Sequence, residues 1–568
     1  MAMMAGLSHW RAKNDGILLR DITLGHLLAM TAERFGDHPA VIFDEADLKV
    51  SWTYEELNHR VDELAKGLMA LGIRRNDRVA VLSPNRPEWL LLEYALARVG
   101  AVLVTVNPAC RRTELDYLLT QGRVTALFCV GAFRGFSIAR MIAEMLPELA
   151  DATDGMLANG ANYPDLRRVV SIGSDVIPGA MAFVDMATKA TTVSDADLDQ
   201  RSAEVRPRDI AQVQYTSGTT GKPKGAMLTH HGIINNAILA GQRAGYCERD
   251  VMVSAMPFFH TAGCVCNVIG MAAVGGCLVA MESFDAATML DLIERYGGTI
   301  TNAVPTMYVR LLQDGDLAAG RRNLSSWRIA YTGGTSIPPN LMLELNDRFG
   351  AEPTIIMGMT ECSPIITQSL PTDPLEKRVT NAGVPLPHVE IRIADVQSGE
   401  TTPVGQQGEL LVRGFLVTAG YFDMPERTAE AIDSEGWLHS GDIAVLDAGG
   451  YLRIVGRIKD MLIRGGENVY PTEIEDHLLA HKDIAEAQIV GVPDPEFGEE
   501  IFAFVVPRDD AHIEPEALRQ WCRGKMARHK LPRYLSLLSA MPQTANGKVR
   551  KVELREMAQR LIQEGEVQ

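Results

Sequence analysis

The chain has no paired-cysteine pattern. Its eight cysteines, at positions 110, 129, 247, 264, 266, 277, 362 and 522, never adopt the C-x-x-C spacing of a zinc site. They read as buried free thiols in a reducing compartment. An excess of positive charge is also missing. With 55 Lys+Arg against 72 Asp+Glu the net charge is −17, which argues against a general nucleic-acid-binding role. An anionic ligand must therefore be held by local donors and a metal ion. The first residues, MAMMAGLSHWRAKNDGILLRDITLG, contain no apolar core of signal-peptide length. Asp15 and Asp21 do not suit a transit peptide, so a cytoplasmic location is expected. A clean membrane span is lacking too. No charged residue occurs between Asp250 and Glu282, yet Pro257, His260, Asn267 and several glycines interrupt the run. A buried helix and strand lining an apolar cavity is the expectation there. There is no internal repeat and no long low-complexity linker.

What is present is an ordinary globular composition, 46% hydrophobic and 22% charged, over 568 residues. That length exceeds one compact core, so two or more domains are expected. Thr53-x-x-Glu56 is a capping box, followed by Leu57, Val61, Leu64, Leu68 and Leu71 at helical spacing, with Gly72 ending the helix. Val79–Leu82 reads as a buried strand, about 88–99 as a helix, and 101–106 as the next strand. This rhythm predicts a parallel α/β layer with ligand sites on loops at strand C-termini. Residues 132–165 read as a helical insertion. From Val389 onward, alternation at 389–393, 408–413 and 451–455 predicts a β-rich part. A mixed unit follows, with a helix at 471–480 and strands near 487–492 and 501–506. The boundary is placed at Lys459, giving domains 1–458 and 459–568.

The stretch that organises the rest is Gln214-Tyr215-Thr216-Ser217-Gly218-Thr219-Thr220-Gly221-Lys222-Pro223-Lys224-Gly225. Glycines let backbone approach a ligand, while amides, hydroxyls and two lysines offer donors and charge to anionic oxygens. It is a phosphate-gripping loop by chemistry. It is not the Walker loop, because Pro223 follows Lys222 where Ser or Thr should stand. Further along come Gly333-Gly334-Thr335, Met357-Gly358-Met359-Thr360-Glu361, Ser440-Gly441-Asp442 with Arg457 fifteen residues on, and Pro542-Gln543-Thr544-Ala545-Asn546-Gly547-Lys548. Each alone has an ordinary explanation: a turn, a helix start, a surface ion pair, a solvated lysine. Together they bring hydroxyls, lysines, an arginine and two carboxylates, the donors and charges that a polyphosphate, a metal ion and a ribose would need.

YTSGTTGKPKG at 215–225 resembles the signature loop of the adenylate-forming (ANL) superfamily, and the other four segments resemble its further motifs in order, from about residue 20 to 555. The resemblance implies an AMP-forming acyl-CoA synthetase, fatty-acid-CoA-ligase-like. The implied fold is α/β: a large N-terminal domain of α/β layers with a β-rich subdomain, plus a small mobile α+β C-terminal domain. The implied reaction is ATP-dependent formation of acyl-AMP with pyrophosphate release, then transfer to the thiol of CoA. Thr216, Ser217, Gly218, Thr219, Thr220 and Lys224 would hold the β- and γ-phosphates. Gly333, Gly334, Thr335, Met357 and Gly358 would lie by adenine, Thr360 at the α-phosphate, and Glu361 with Thr216 at Mg²⁺. Asp442 and Arg457 would hold the ribose, His260 would sit by the acyl group, and Lys548 would be the catalytic lysine. Lys459 would be the hinge for domain rotation, and Gly465 and Gly466 would face the pantetheine tunnel. Met357 departs from the family's usual aromatic, which leaves the holding of adenine open.

The uncharged stretch 251–281 suits a fatty, branched, alicyclic or steroid side-chain acid. An aryl acid, or delivery to a separate carrier protein instead of CoA, stays open. Twenty residues follow Lys548, so no fused carrier domain is expected, and Gly-Glu-Val-Gln is not a Ser-Lys-Leu-type peroxisomal address. Expected partners are the acid, ATP and CoA, with no nucleic acid and no transmembrane segment. A homodimer is compatible with the sequence.

Overall fold

A computed structural model describes the chain except for residues 1, 4, 5, 13–15, 158–161, 217–221, 335, 336, 466, 509, 510, 512, 524, 544–548 and 568, and except for the side chains of 2, 3 and 468. Among the described residues, three large sheets fill the part before residue 458, and the segment expected to be a helical insertion opens instead with a small hairpin, Ala132–Phe133 against Phe136–Ser137, before the helix Ile138–Met145. Among the described residues, one large sheet has seven strands, all parallel in their pairings except the edge strand Lys224–Thr229, which runs antiparallel to its neighbour Ile210–Thr216. A second has nine strands with a parallel centre running from Glu352–Gly358 through Ile329–Gly333, Ile300–Asn302, Val251–Ser254 and Cys277–Ala280 to Pro39–Glu45. The third is antiparallel throughout and includes Val389–Ala394, Gln407–Gly414, Leu438–Leu446 and Leu452–Arg457.

The local rules that the sequence states are obeyed. Thr53 accepts from Glu56 N while Glu56 accepts from Thr53 N, and the helix runs Tyr54–Ala70. Leu57, Val61, Leu64 and Leu68 are buried on its inner face. Such a cap contributes about 1 kcal/mol. The strands Arg78–Leu82, Val102–Val106 and Ala126–Val130 are apolar apart from Arg78 and Thr105, and all their residues but Arg78 are buried, as suits central parallel strands covered on both faces. One large core joins the seven-stranded sheet, its helices and part of the antiparallel sheet. A second lies under the nine-stranded sheet around Trp327, Tyr308 and Met342.

The uncharged stretch forms Thr261–Gly263, a π-helical turn Cys264–Ile269, the helix Gly270–Val274 and the strand Cys277–Ala280. Nearly every residue of it is buried. Among the described residues no helix is long and apolar enough to cross a membrane. A cavity of about 10 Å³ lies beneath it, between Val268, Met271, Tyr54 and Tyr94. All eight cysteines are free and seven are buried.

Residues beyond 460 build a sheet of Leu462–Arg464, Glu467–Val469, Ile484–Asp494, Gly498–Pro507 and Tyr534–Leu537. Helices Pro471–Leu479, Pro515–Arg523 and Lys551–Glu564 accompany it. This sheet has two cores of its own, one around Ile474, Ile489 and Val505, the other around Phe502, Phe504 and Leu554. Between it and the rest lies a small cluster of Ile443, Val455 and Tyr470.

Candidate active site

The C-terminal ends of strands from two different sheets converge. Thr216 ends Ile210–Thr216 in the seven-stranded sheet. Gly333 and Gly358 end neighbouring parallel strands of the nine-stranded sheet. This is where open α/β sheets place ligands. Both glycines are dictated by packing: a Cβ on Gly358 would stand 2.3 Å from Pro364 O, and one on Gly333 would stand 2.4 Å from Ile356 Cγ1.

After Gly358 the chain makes a 3-10 turn over Thr360–Cys362. It is not a helix start; its function here is to carry Glu361 back toward the other sheet. Glu361 is 6% exposed. Its Oε1 accepts from Thr216 Oγ1 at 3.3 Å and from Tyr421 OH at 2.9 Å. Tyr421 OH in turn accepts from Lys224 Nζ at 2.9 Å, and the Lys224 ammonium stands 4.0 Å from the centre of the Tyr421 ring. Thr216, Lys224 and Glu361, drawn from two motifs, are thus joined in one network. Tyr421 completes it and has no counterpart among the residues singled out from sequence. A lone tyrosine between Gly420 and Phe422 gives no periodic signal. The usable hint is chemical: a buried phenol needs a partner for its hydroxyl.

Burial lowers the Lys224 ammonium below the ordinary lysine range, with the nearby Lys459 charge adding to the effect and Glu361 opposing it. Lys459, in the turn Ile458–Asp460, therefore lies close enough to be felt at Lys224. An alkaline limb in the pH profile of kcat/KM for ATP is expected below the pH of an ordinary lysine, because neutral Lys224 loses its hold on anionic oxygens. Lys224→Arg should move that limb upward, since arginine stays charged. A limb that does not move would show that Lys224 does not set it.

Asp442 and Arg457 are cross-strand partners in the antiparallel sheet, and Arg457 Nε donates to Asp442 Oδ1 at 2.8 Å. Asp442 is 5% exposed, while the Arg457 side chain is 56% exposed. The Cys362 thiol is pushed up by burial and further by the charges of Glu361 and Asp442. That places Asp442 beside the Thr360–Cys362 turn. Met357 is a core residue at 8% exposure, in register with Thr367. Gly334 follows Gly333 with φ +83°, and Gly465 has φ +60° in the turn between two C-terminal strands.

His260 caps the segment that becomes the π-helical turn, accepting at its carbonyl from Gly263 N and Cys264 N. Its loop is pinned by a buried side chain not picked out as functional. Asn85 accepts from Phe258 N at 2.7 Å and donates to Met256 O and Met281 O at 3.0 and 2.9 Å. The neighbouring His230 is structural: it is buried at the start of the helix His230–Ala244, accepts from Leu24 N at 3.3 Å, and is lowered to about 4 by burial. Ser217, Gly218, Thr219, Thr220, Thr335, Gly466 and Lys548 lie outside the described residues. Among the described residues no cluster of three or more His, Cys, Asp or Glu could hold a metal.

Comparison with known proteins supplies the rest. Residues 28–422 match the AMP-binding enzyme family, and residues 473–548 match the AMP-binding enzyme C-terminal domain. YngI of Bacillus subtilis, which carries the name of an acyl-CoA synthetase, is 40% identical over 94% of this chain and 96% of its own. The mitochondrial medium-chain acyl-CoA ligase ACSF2 of Danio rerio is 35% identical over 96% of this chain and 89% of its own. Among solved structures, the anthranilate CoA ligase AuaEII in complex with anthranoyl-AMP superposes with a TM-score of 0.83 at 25% identity, covering 96% of this chain and 99% of that one.

Proposed function

The chain belongs to the AMP-binding enzyme family and is an ATP-dependent acyl-CoA synthetase, and from that premise we propose how its site works and which acid it takes. The observation that carries the site reading is the network Thr216–Glu361–Tyr421–Lys224, which joins residues of two motifs across two sheets. In this reading Lys224 and the loop 216–220 hold the β- and γ-phosphates, and Thr360 donates at the α-phosphate. Asp442 and Arg457 bind the ribose hydroxyls. Lys548 bridges the substrate carboxylate and the α-phosphate, and His260 borders the acyl group.

The residues fit Mg²⁺. Both donors that Glu361 receives from described side chains fall on Oε1, leaving Oε2 for a hard cation that takes one or two carboxylates and completes its shell with phosphate oxygens and water. When bound, Mg²⁺ would neutralise phosphate charge. The protein's own contribution is to keep Glu361 aimed, and to keep Lys224 within reach.

Residues 459–568 would form the mobile unit, turning about Lys459 between adenylation and thioester formation and presenting Gly465 and Gly466 to the pantetheine arm. The acid would be a hydrophobic, medium-chain aliphatic acid. The uncharged segment 251–281 and the naming of ACSF2 support this. An aryl acid is the second reading, favoured by the likeness to an anthranilate ligase. A panel of aliphatic and aryl acids, followed by acyl-CoA formation, decides between them. Highest kcat/KM on medium-length chains is expected, and highest kcat/KM on aryl acids would replace this reading by the second. We place the enzyme in the cytoplasm, and a homodimer as its assembly is testable by light scattering.

Asp442→Ala should raise the KM for ATP about 10- to 100-fold, the equivalent of hydrogen bonds to a charged group worth about 1.5–3 kcal/mol. The KM for the acid should change far less. Equal changes in both would remove Asp442 from the ribose site.

A further inference from the structure

We infer that Tyr421 is a spacer: its phenol keeps the Lys224 ammonium and the Glu361 carboxylate from pairing directly, so that both stay available to a metal–nucleotide. This rests on the site reading above. The direction of the two hydrogen bonds is fixed by chemistry. An ammonium can only donate, so the phenol oxygen must accept from Lys224 Nζ, at 2.9 Å, and its own proton must go to Glu361 Oε1, at 2.9 Å. The ring beneath Lys224 adds a cation–π contact at 4.0 Å.

The phenol is buried, and the segment that carries it is clamped through its backbone. Phe422 N donates to Gly225 O at 2.8 Å, Met227 N to Gly420 O at 2.9 Å, and Tyr421 N to Thr428 Oγ1 at 2.9 Å. Gly420 has φ +117°, and a Cβ there would stand 2.7 Å from Thr428 Cγ2. The segment that carries Tyr421 is thus bound to the strand that carries Lys224, and Thr418 N donates to Glu361 O at 2.8 Å. Opposite charges in a partly desolvated site attract strongly. Removing the hydroxyl would let the ammonium close onto the carboxylate. That would cancel the positive charge a phosphate needs and the negative charge a cation needs.

The test is MgATP binding by calorimetry in the absence of acid, so that no turnover contributes. Tyr421→Phe should weaken MgATP at least tenfold, while Tyr421→Phe combined with Lys224→Met should bind no worse than Lys224→Met alone, since nothing is left to keep apart. Near-normal binding by Tyr421→Phe while Glu361→Gln and Lys224→Met each bind weakly would overturn the spacer and leave the site reading intact. A double variant that loses the full product of the two single losses would overturn it as well. Normal binding by both Glu361→Gln and Lys224→Met would sink the site reading itself. Thermal unfolding separates any loss of fold, and Tyr421→Leu, which removes ring and hydroxyl together, serves as a second variant with the same expectation.

Discussion

Glu361→Gln is expected to lower acid-dependent pyrophosphate release by about 10²- to 10³-fold, the loss that follows when a preorganised charge stabiliser is removed, or about 3–4 kcal/mol of barrier. The fold should survive. The amide has the size of the carboxylate, and its oxygen can still accept from Thr216 and Tyr421, which meet Glu361 Oε1 in the native protein. What the amide lacks is the negative charge. The loss should therefore appear in turnover and in the concentration of Mg²⁺ required, with the unfolding midpoint little changed. An unaltered Mg²⁺ requirement would remove Glu361 from the metal.

Lys548→Ala should divide the two half-reactions. Formation of acyl-AMP should fall by about 10²- to 10³-fold, because the cation that would bridge carboxylate and α-phosphate is gone. Thioester formation from supplied acyl-AMP should be largely kept. The reasoning is electrostatic: negative charge builds at the α-phosphate while the carboxylate attacks, and it has already departed with pyrophosphate when the thiol arrives. Equal loss of both half-reactions would mean that Lys548 supports structure or CoA binding instead.

Much of the fold was legible because local chemistry and burial agree. The capping box at Thr53, the apolar run Val79–Leu82 and the strand leading into Thr216 each carry a pattern that only one local structure satisfies. The strand Leu438–Leu446 was not legible, although it carries Ser440-Gly441-Asp442. Its register is broken by irregularities against both neighbours, so its first half shows no alternation. The pairing of Asp442 with Arg457 looked like a spacing of fifteen residues and is in fact a cross-strand pair. The π-helical turn at Cys264–Ile269 is written in uniformly apolar residues, which specify burial and not a hydrogen-bonding register.

The same limit applies to the site. Motifs name Thr216, Lys224 and Glu361 separately, because each sits in a short, distinctive run. Tyr421 and Asn85 act across 60 to 197 residues of sequence, through side chains that meet only when sheets pack. Nothing in either residue's immediate neighbourhood records that meeting.

The most direct measurement follows the fate of ATP with an acid panel, with and without CoA. The account predicts pyrophosphate and AMP in equal amounts, strictly dependent on a hydrophobic acid, and acyl-CoA only when CoA is added. Formation of ADP and phosphate, or AMP formation that never yields a thioester with CoA, would contradict it.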